Sequence, residues 1–263
     1  MAGVQSNFRG SPQHLAHLVD SAQRGDISLW NRYVRKMGDS FHADLAGASL
    51  KNLVLGKVNL AGADLCDSDL SRVNLVRANL TGARLQGAFL VGANLGKAHL
   101  DQCDFSVSDL SRANLKDADL SAAVFTGATL KGANLENVDL TGAGLKNASL
   151  VGANLDGARL DQCDFSNSDL SRANLKGADL HAAIFTNAIL KGANLENANL
   201  TGARLNNASL VGANLDEARL DQCDFSNSDL SRANLKNTDL RTAIFADSTL
   251  DGSGEKPGTR KDT

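Results

Sequence analysis

The sequence predicts an all-β solenoid, a chain wound in four-sided coils of twenty residues, closed at its N-terminal end by a short α-helical cap. Three observations carry this. A Leu or Phe stands at every fifth position from Leu45 to Leu250, 42 times in succession without an insertion. Every Phe at a central position of that array falls at 105, 125, 165, 185, 225 or 245, which share one remainder on division by twenty. The composition is poor in aromatic residues, at 4%, and in proline, with two, so one repeated Leu and Ala contact must build the core.

Each element of the repeat follows from its spacing. Two residues before each central Leu or Phe stands a small residue, as at Ala43, Ala48, Ala63 and Ala78, with Asp or Asn commonly between them. A period of five matches neither a helix nor a flat strand, since on a helix it would turn each successive Leu by about 140° and smear the apolar face. A short extended segment followed by a turn does match. The small residue and the Leu are two apart and share one face, and the residue between them points outward. The two residues that follow, often Gly, Asn, Lys, Ser or Thr, make the corner.

The unit A-(D/N)-L-x-x, unbroken from Phe41 to Leu250 over about 80% of the chain, resembles the pentapeptide-repeat family. The resemblance implies a right-handed quadrilateral parallel β-helix with four repeats per coil, Leu or Phe at its centre and Ala along its inner wall. The Phe positions support the twenty-residue coil independently, and place Phe105, Phe125, Phe165, Phe185, Phe225 and Phe245 in the core of one face. Asn recurs every twenty residues from Asn74 to Asn234. That column is either a turn preference or a stack of amides bonded from coil to coil. At a coil spacing of ~4.8 Å the array makes a rod roughly 50 Å long.

The chain divides into residues 1–40, a helical N-terminal cap; 41–250, the β-helix; and 251–263, a polar, Gly-rich tail expected to be disordered. Ser11 is a helix N-cap with Pro12 at the first helical position, and Asp26 is expected to begin a second helix carrying Leu29, Trp30, Tyr33 and Val34. A solenoid end exposes core and strand edges, so this segment is expected to cover the first coil, with a partner-binding helix pair as the rival reading. No comparable apolar segment follows Leu250. Either the chain dimerises end to end through its C-terminal coil, or the partial last coil closes that end poorly.

A longer period overlies the coil. Residues 101–160 and 161–220 agree at 49 of 60 positions, and 221–250 continue the block. Sixty residues are three coils, so surface features recur every ~14 Å. Plain duplication explains this; a multivalent surface is the sharper reading. The candidate interaction surface is Asp101, Asp104, Asp109 and Arg112, repeated as Asp161, Asp164, Asp169 and Arg172, and again as Asp221, Asp224, Asp229 and Arg232. Mixed signs suggest self-paired charges, with a weak divalent-cation site as a lesser reading.

Catalytic, metal and cofactor signals are missing from the sequence, so a non-enzyme with no cofactor is expected. The five His are scattered, no glycine loop fits a phosphate cradle, and Cys103, Cys163 and Cys223 replace wall Ala three coils apart. Cys66 follows a central Leu and is expected to be the reactive thiol. The cysteine usage and the lack of an apolar leader or span suggest a cytoplasmic protein without membrane contact. The functional expectation is a structural or protein-interaction rod with an unknown protein partner. The alternative, which the resemblance raises, is a DNA mimic that binds DNA gyrase and confers quinolone resistance. Charge weighs against it: residues 41–250 hold 24 acids and 19 bases, net −5, where a 50 Å mimic wants on the order of 30 negative charges. The same balance argues against direct nucleic-acid binding. An ice-binding array is excluded because Asp101, Asp161, His181 and Asp221 interrupt the Thr and Ser column.

Overall fold

The computed structural model describes residues 8–250, and the expected tail at 251–263 lies outside them. The array is a right-handed quadrilateral parallel β-helix with two N-terminal helices, as the sequence predicts. Parallel bridges pair the outward residues with those twenty positions on, from Asp44 with Asp64 to Asp229 with Thr249, the pair Arg219 and Asp239 excepted. One side chain per repeat therefore meets its equivalent in the next coil. Four outward columns result, which we name by their content: the Phe face (44, 64 to 244), the second face (49, 69 to 249), the Asn face (54, 74 to 234) and the fourth face (59, 79 to 239).

Inside, the central Leu and Phe side chains are buried from Leu45 to Leu230, and the wall residues lie beside them. The Phe rings stack in pairs, Phe105 on Phe125 and Phe165 on Phe185 at 4.9 Å and Phe225 on Phe245 at 5.1 Å between centroids, nearly parallel. Leu145 and Leu205 separate the pairs. Phe245 is only half-buried, because its coil is the last described one.

The wall of the second face carries a feature the repeat rule misses. Ser68, Ser108, Ser168 and Ser228 stand where Ala is usual and are buried. Each hydroxyl donates to the carbonyl three residues back, as Ser108 Oγ does to Phe105 O at 2.6 Å, so these four buried hydroxyls are paired.

The corners are type II turns. The N–H of each wall residue donates to the central carbonyl three before it, as Ala48 N does to Leu45 O at 3.0 Å. The second turn residue takes a left-handed backbone at every fifth position from Gly47 to Asn237, and again at Asp247. This conformation explains the abundance of Gly and Asn there. Thr242, in the last described coil, does not adopt it. Its hydroxyl instead accepts the Gln222 N–H at 3.0 Å.

At the other end, α1 (Pro12–Gln23) begins on Ser11, whose Oγ accepts the His14 N–H at 3.3 Å. The second helix, α2 (Ser28–Met37), starts later than expected, with Ile27 as N-cap. The Asp26 carboxylate still accepts the Ser28 N–H at 3.1 Å, one residue ahead of the cap. The pair covers the first coil. Trp30 is fully buried and its indole donates to Asn59 O at 2.8 Å; the Asn31 amide bonds Lys57 O and Asn59 N; and His14 Nδ1 accepts the Asp44 N–H. Backbone N–H groups of Arg9, Gly10 and Ser11 donate to the Ala46 and Asp44 carbonyls, occupying that otherwise open edge.

Candidate interaction surface

The structure distributes each expected quartet around half the coil. Asp101, Asp161 and Asp221 sit at the corner before the Phe face; Asp104, Asp164 and Asp224 on that face; Asp109, Asp169 and Asp229 on the second face; and Arg112, Arg172 and Arg232 at the corner beyond it. Among the described residues no quartet converges on one point.

The aspartates share a local task. Oδ1 of Asp104, Asp109, Asp164, Asp169, Asp224 and Asp229 accepts the N–H two residues on at 2.9–3.0 Å. This Asx bond leads the chain into the turn. Their other contacts run between neighbouring coils. Gln86 donates to Asp104, Lys146 lies 3.1 Å from Asp164, and Asn206 donates to Asp224. Asp101 accepts the Thr81 hydroxyl at 2.8 Å, and Asp161 lies 2.9 Å from His181 Nδ1. Desolvation pushes Asp164, Asp224 and, more weakly, Asp229 upward, but hydrogen bonds from the hydroxyls of Ser166, Ser226 and Ser231 and from the turn N–H groups help hold all three below the usual carboxylate range. Carboxylates so engaged are parts of the corner. Among the described residues no group of His, Cys, Asp or Glu is placed to hold a metal ion.

The thiols are equally engaged. Cys103, Cys163 and Cys223 are buried, and each Sγ donates to a carbonyl of the preceding coil at 2.9–3.0 Å. Desolvation pushes all three up to about 12. Cys66, the thiol expected to react, is the least buried of the four. It is half-buried, donates to Gln86 Oε1 at 2.8 Å, and is pushed up to about 11 by desolvation and by Asp64 beside it.

What reaches solvent is a patterned surface. The Asn face carries a ladder in which Nδ2 of each Asn donates to Oδ1 of the Asn one coil earlier. It runs from Asn234 to Asn94 at 2.8–3.4 Å. Charges segregate by corner. Between the second face and the Asn face lie Lys51, Arg72, Arg112, Lys131, Arg172, Lys191 and Arg232, and no acid. Beyond the Asn face, the next corner begins with Lys57, Arg77 and Lys97 and turns mixed from Lys116 onward. There Lys116–Glu136 and Lys176–Glu196 pair across one coil at 2.7 and 2.8 Å. The sequence reading passed over this segregation because it summed charge along the array. Sorting the charges by remainder on division by twenty would have found it.

Comparison with known proteins agrees with this architecture. The family model for pentapeptide repeats matches in eight copies, from residues 42–82 to 208–247. Among solved structures, HetL, a pentapeptide repeat protein involved in heterocyst differentiation regulation in the cyanobacterium Nostoc sp. Strain PCC 7120, is 32% identical, with 85% of this chain and 98% of that chain covered and a TM-score of 0.40. A pentapeptide repeat protein of the Arabidopsis thaliana thylakoid lumen is 33% identical over 42% of this chain and 67% of that one, with a TM-score of 0.24. QnrB1, a plasmid-mediated fluoroquinolone resistance protein, is 20% identical over 77% of this chain and 91% of that one, with a TM-score of 0.32. No curated protein matches the chain. With its repeat array matched nearly end to end by the family model, the chain belongs to the pentapeptide-repeat family.

Proposed function

We propose that this protein is a non-enzymatic rod that binds a protein partner through its outward columns. The observation that carries the reading is the division of labour within each repeat. Inward positions are confined to Leu, Phe, Ala and a few small substitutes, while outward and corner positions vary in charge, size and polarity. The groups that chemistry would use are engaged in structure: the candidate aspartates as turn acceptors, the thiols as buried donors. Four free thiols suit a reducing compartment, which supports a cytoplasmic location. The DNA-mimic alternative requires dense negative charge along the whole rod. Residues 1–100 instead carry eleven bases and seven acids, net +4, and 101–250 carry thirteen bases and twenty acids, net −7.

The test is affinity capture with the intact rod against a variant carrying Asp104→Asn, Asp164→Asn and Asp224→Asn. Asn keeps the oxygen that accepts the turn N–H and removes the charge. A protein retained in stoichiometric amount by the rod and lost from a variant with an unchanged melting curve is the expected result. Substrate turnover by the purified rod, or no retained protein, overturns the reading.

A further inference from the structure

The strongest unassigned feature is a column of like charges. Lys57, Arg77 and Lys97 occupy the same corner position in three successive coils, a spacing of ~4.8 Å. All three are exposed. Lys97 lies 3.8 Å from Asp117, while Lys57 and Arg77 have no acidic partner among the described residues. Further along the same corner the pattern is the opposite, with bases paired to acids one coil away. Stacked cations repel one another, and an anionic ligand relieves that repulsion.

The surroundings reinforce the column. Its side chains line a shallow depression of about 370 Å³ together with Gly56, Asn74 and Val76, and no acid contributes to the lining. The Asn ladder points at it. Each ladder Oδ1 also accepts the N–H two residues on, as Asn114 Oδ1 does from Lys116 at 3.2 Å, and this fixes which way each amide faces. All the donated N–H groups therefore lead toward the N-terminal end, and their dipoles add. The ladder stops at Asn94. Neither Asn94 Nδ2 nor Asn74 Nδ2 has an acceptor among the described residues. Ammonium, guanidinium and amide donors thus meet at one place, in the basic third of the rod.

We infer that the Lys57–Arg77–Lys97 column is a docking site for an acidic segment of a partner protein. This deepens the binding-rod reading and rests on it. Carboxylates suit the site because Arg77 offers a bidentate fork and the two lysines offer point charges on either side. The neighbouring Val76, with Val54 two-thirds exposed on the adjoining face, offers apolar contact that a peptide side chain uses. A nucleic acid fits less well, since no aromatic residue lines the depression for bases to stack on. The other basic corner is the weaker candidate: Val91, Val151 and Val211 interrupt it at every third coil, and Asp109, Asp169 and Asp229 lie on the face beside it.

The test uses a fluorescein-labelled peptide of alternating Glu and Ala, read by anisotropy at low salt on the full chain. The variant is Lys57→Asn, Arg77→Asn and Lys97→Asn. Asn is the chain's own residue at this turn position in Asn137, Asn197 and Asn237, so the corner is retained. Binding by the wild type, weakened at least about tenfold in the variant, is expected. The control Lys131→Asn, Lys191→Asn and Lys236→Asn removes the same charge elsewhere and should change affinity by less than about twofold. No peptide binding, or equal loss in both variants, overturns the inference. So does a single-stranded oligonucleotide of equal charge that binds the column more tightly than the peptide. If affinity capture retains a partner that the Lys57–Arg77–Lys97 variant still holds, this inference falls and the binding-rod reading stands.

Discussion

At the scale of single residues, the fold rests on two positions, the inner Leu and the left-handed turn residue. Leu135 is fully buried among coils on both sides, so Leu135→Ala should cost about 2–5 kcal/mol in chemical denaturation. Ala133→Leu should cost at least as much, because the wall position is buried and has no space for a larger side chain. The turn position yields a gain. Val107 holds φ +54 although it is β-branched and 68% exposed, whereas Asn167 and Asn227 fill the equivalent place in the later blocks. Val107→Asn should therefore stabilise by about 1 kcal/mol, seen as a raised Tm, by replacing a residue that is strained in this region with one that tolerates it. The thiols give a pH-dependent expectation. At pH 8 native alkylation of Cys66 should be about a hundredfold slower than that of an ordinary thiol, because its pKa of about 11 leaves that much less thiolate. The folded state holds these protons more tightly than the unfolded chain, so the contribution to stability is intact below about pH 9 and is lost as pH rises toward 12. The outward placement of Cys66 was legible from its position after Leu65. Its partner Gln86 was not, because it meets the thiol only once coils are stacked.

At the scale of elements, the Asn ladder shows what periodicity reveals and what it leaves open. The column from Asn74 to Asn234 was readable as such, while its role stood between turn preference and amide stack. The structure joins the two, since each ladder Oδ1 has two lone pairs and serves both the turn N–H and the next amide. A direct comparison follows. Asn154→Ala removes a donated amide bond, an accepted one and the turn bond to Asp156, and should cost about 1–3 kcal/mol. Asn74→Ala removes only the bond from Val76 N and should cost roughly 1 kcal/mol or less. Equal losses in urea unfolding would show that the stacked amides contribute nothing beyond the turn. The helical cap was legible for the opposite reason, through ordinary helix signals at Ser11 and Pro12. Its α2 boundary was misplaced because Asp26 bonds Ser28 without itself being the cap. The basic column at Lys57, Arg77 and Lys97 escaped the sequence reading for a physical cause: opposite charges fifty residues away cancel in a sum but not in space.

At the scale of the whole molecule, a coil touches only its neighbours, so the rod should tolerate whole-coil changes and no others. Deleting residues 161–220 removes three coils in register and joins equivalent corners. The product should fold and be shorter by ~14 Å in solution scattering, whereas deletion of ten residues should not fold. The ends are the exception to this modularity, and they are unequal. Trp30, Leu18 and the backbone at 9–11 cover the first coil. At the last coil Leu235, Leu240, Phe245 and Leu250 are only half-buried, and among the described residues nothing stacks on them. Asp239 pairs with no outward residue of the coil before it, so that rung is already loosened. An apolar end with open strand edges is a template for association, and the sequence from 251 onward contains no apolar residue larger than glycine except Pro257. We propose that a second copy of the same end, packed about a two-fold axis, covers it. On this proposal the 263-residue chain runs as a dimer in light scattering, elongated to about twice the single rod. Leu240→Lys, at a half-buried position on the terminal coil, should return it to monomer while leaving the far-UV spectrum of the remaining coils unchanged. A wild-type chain that stays monomeric at high concentration shows that the last coil tolerates its exposure, and end-to-end pairing is then wrong.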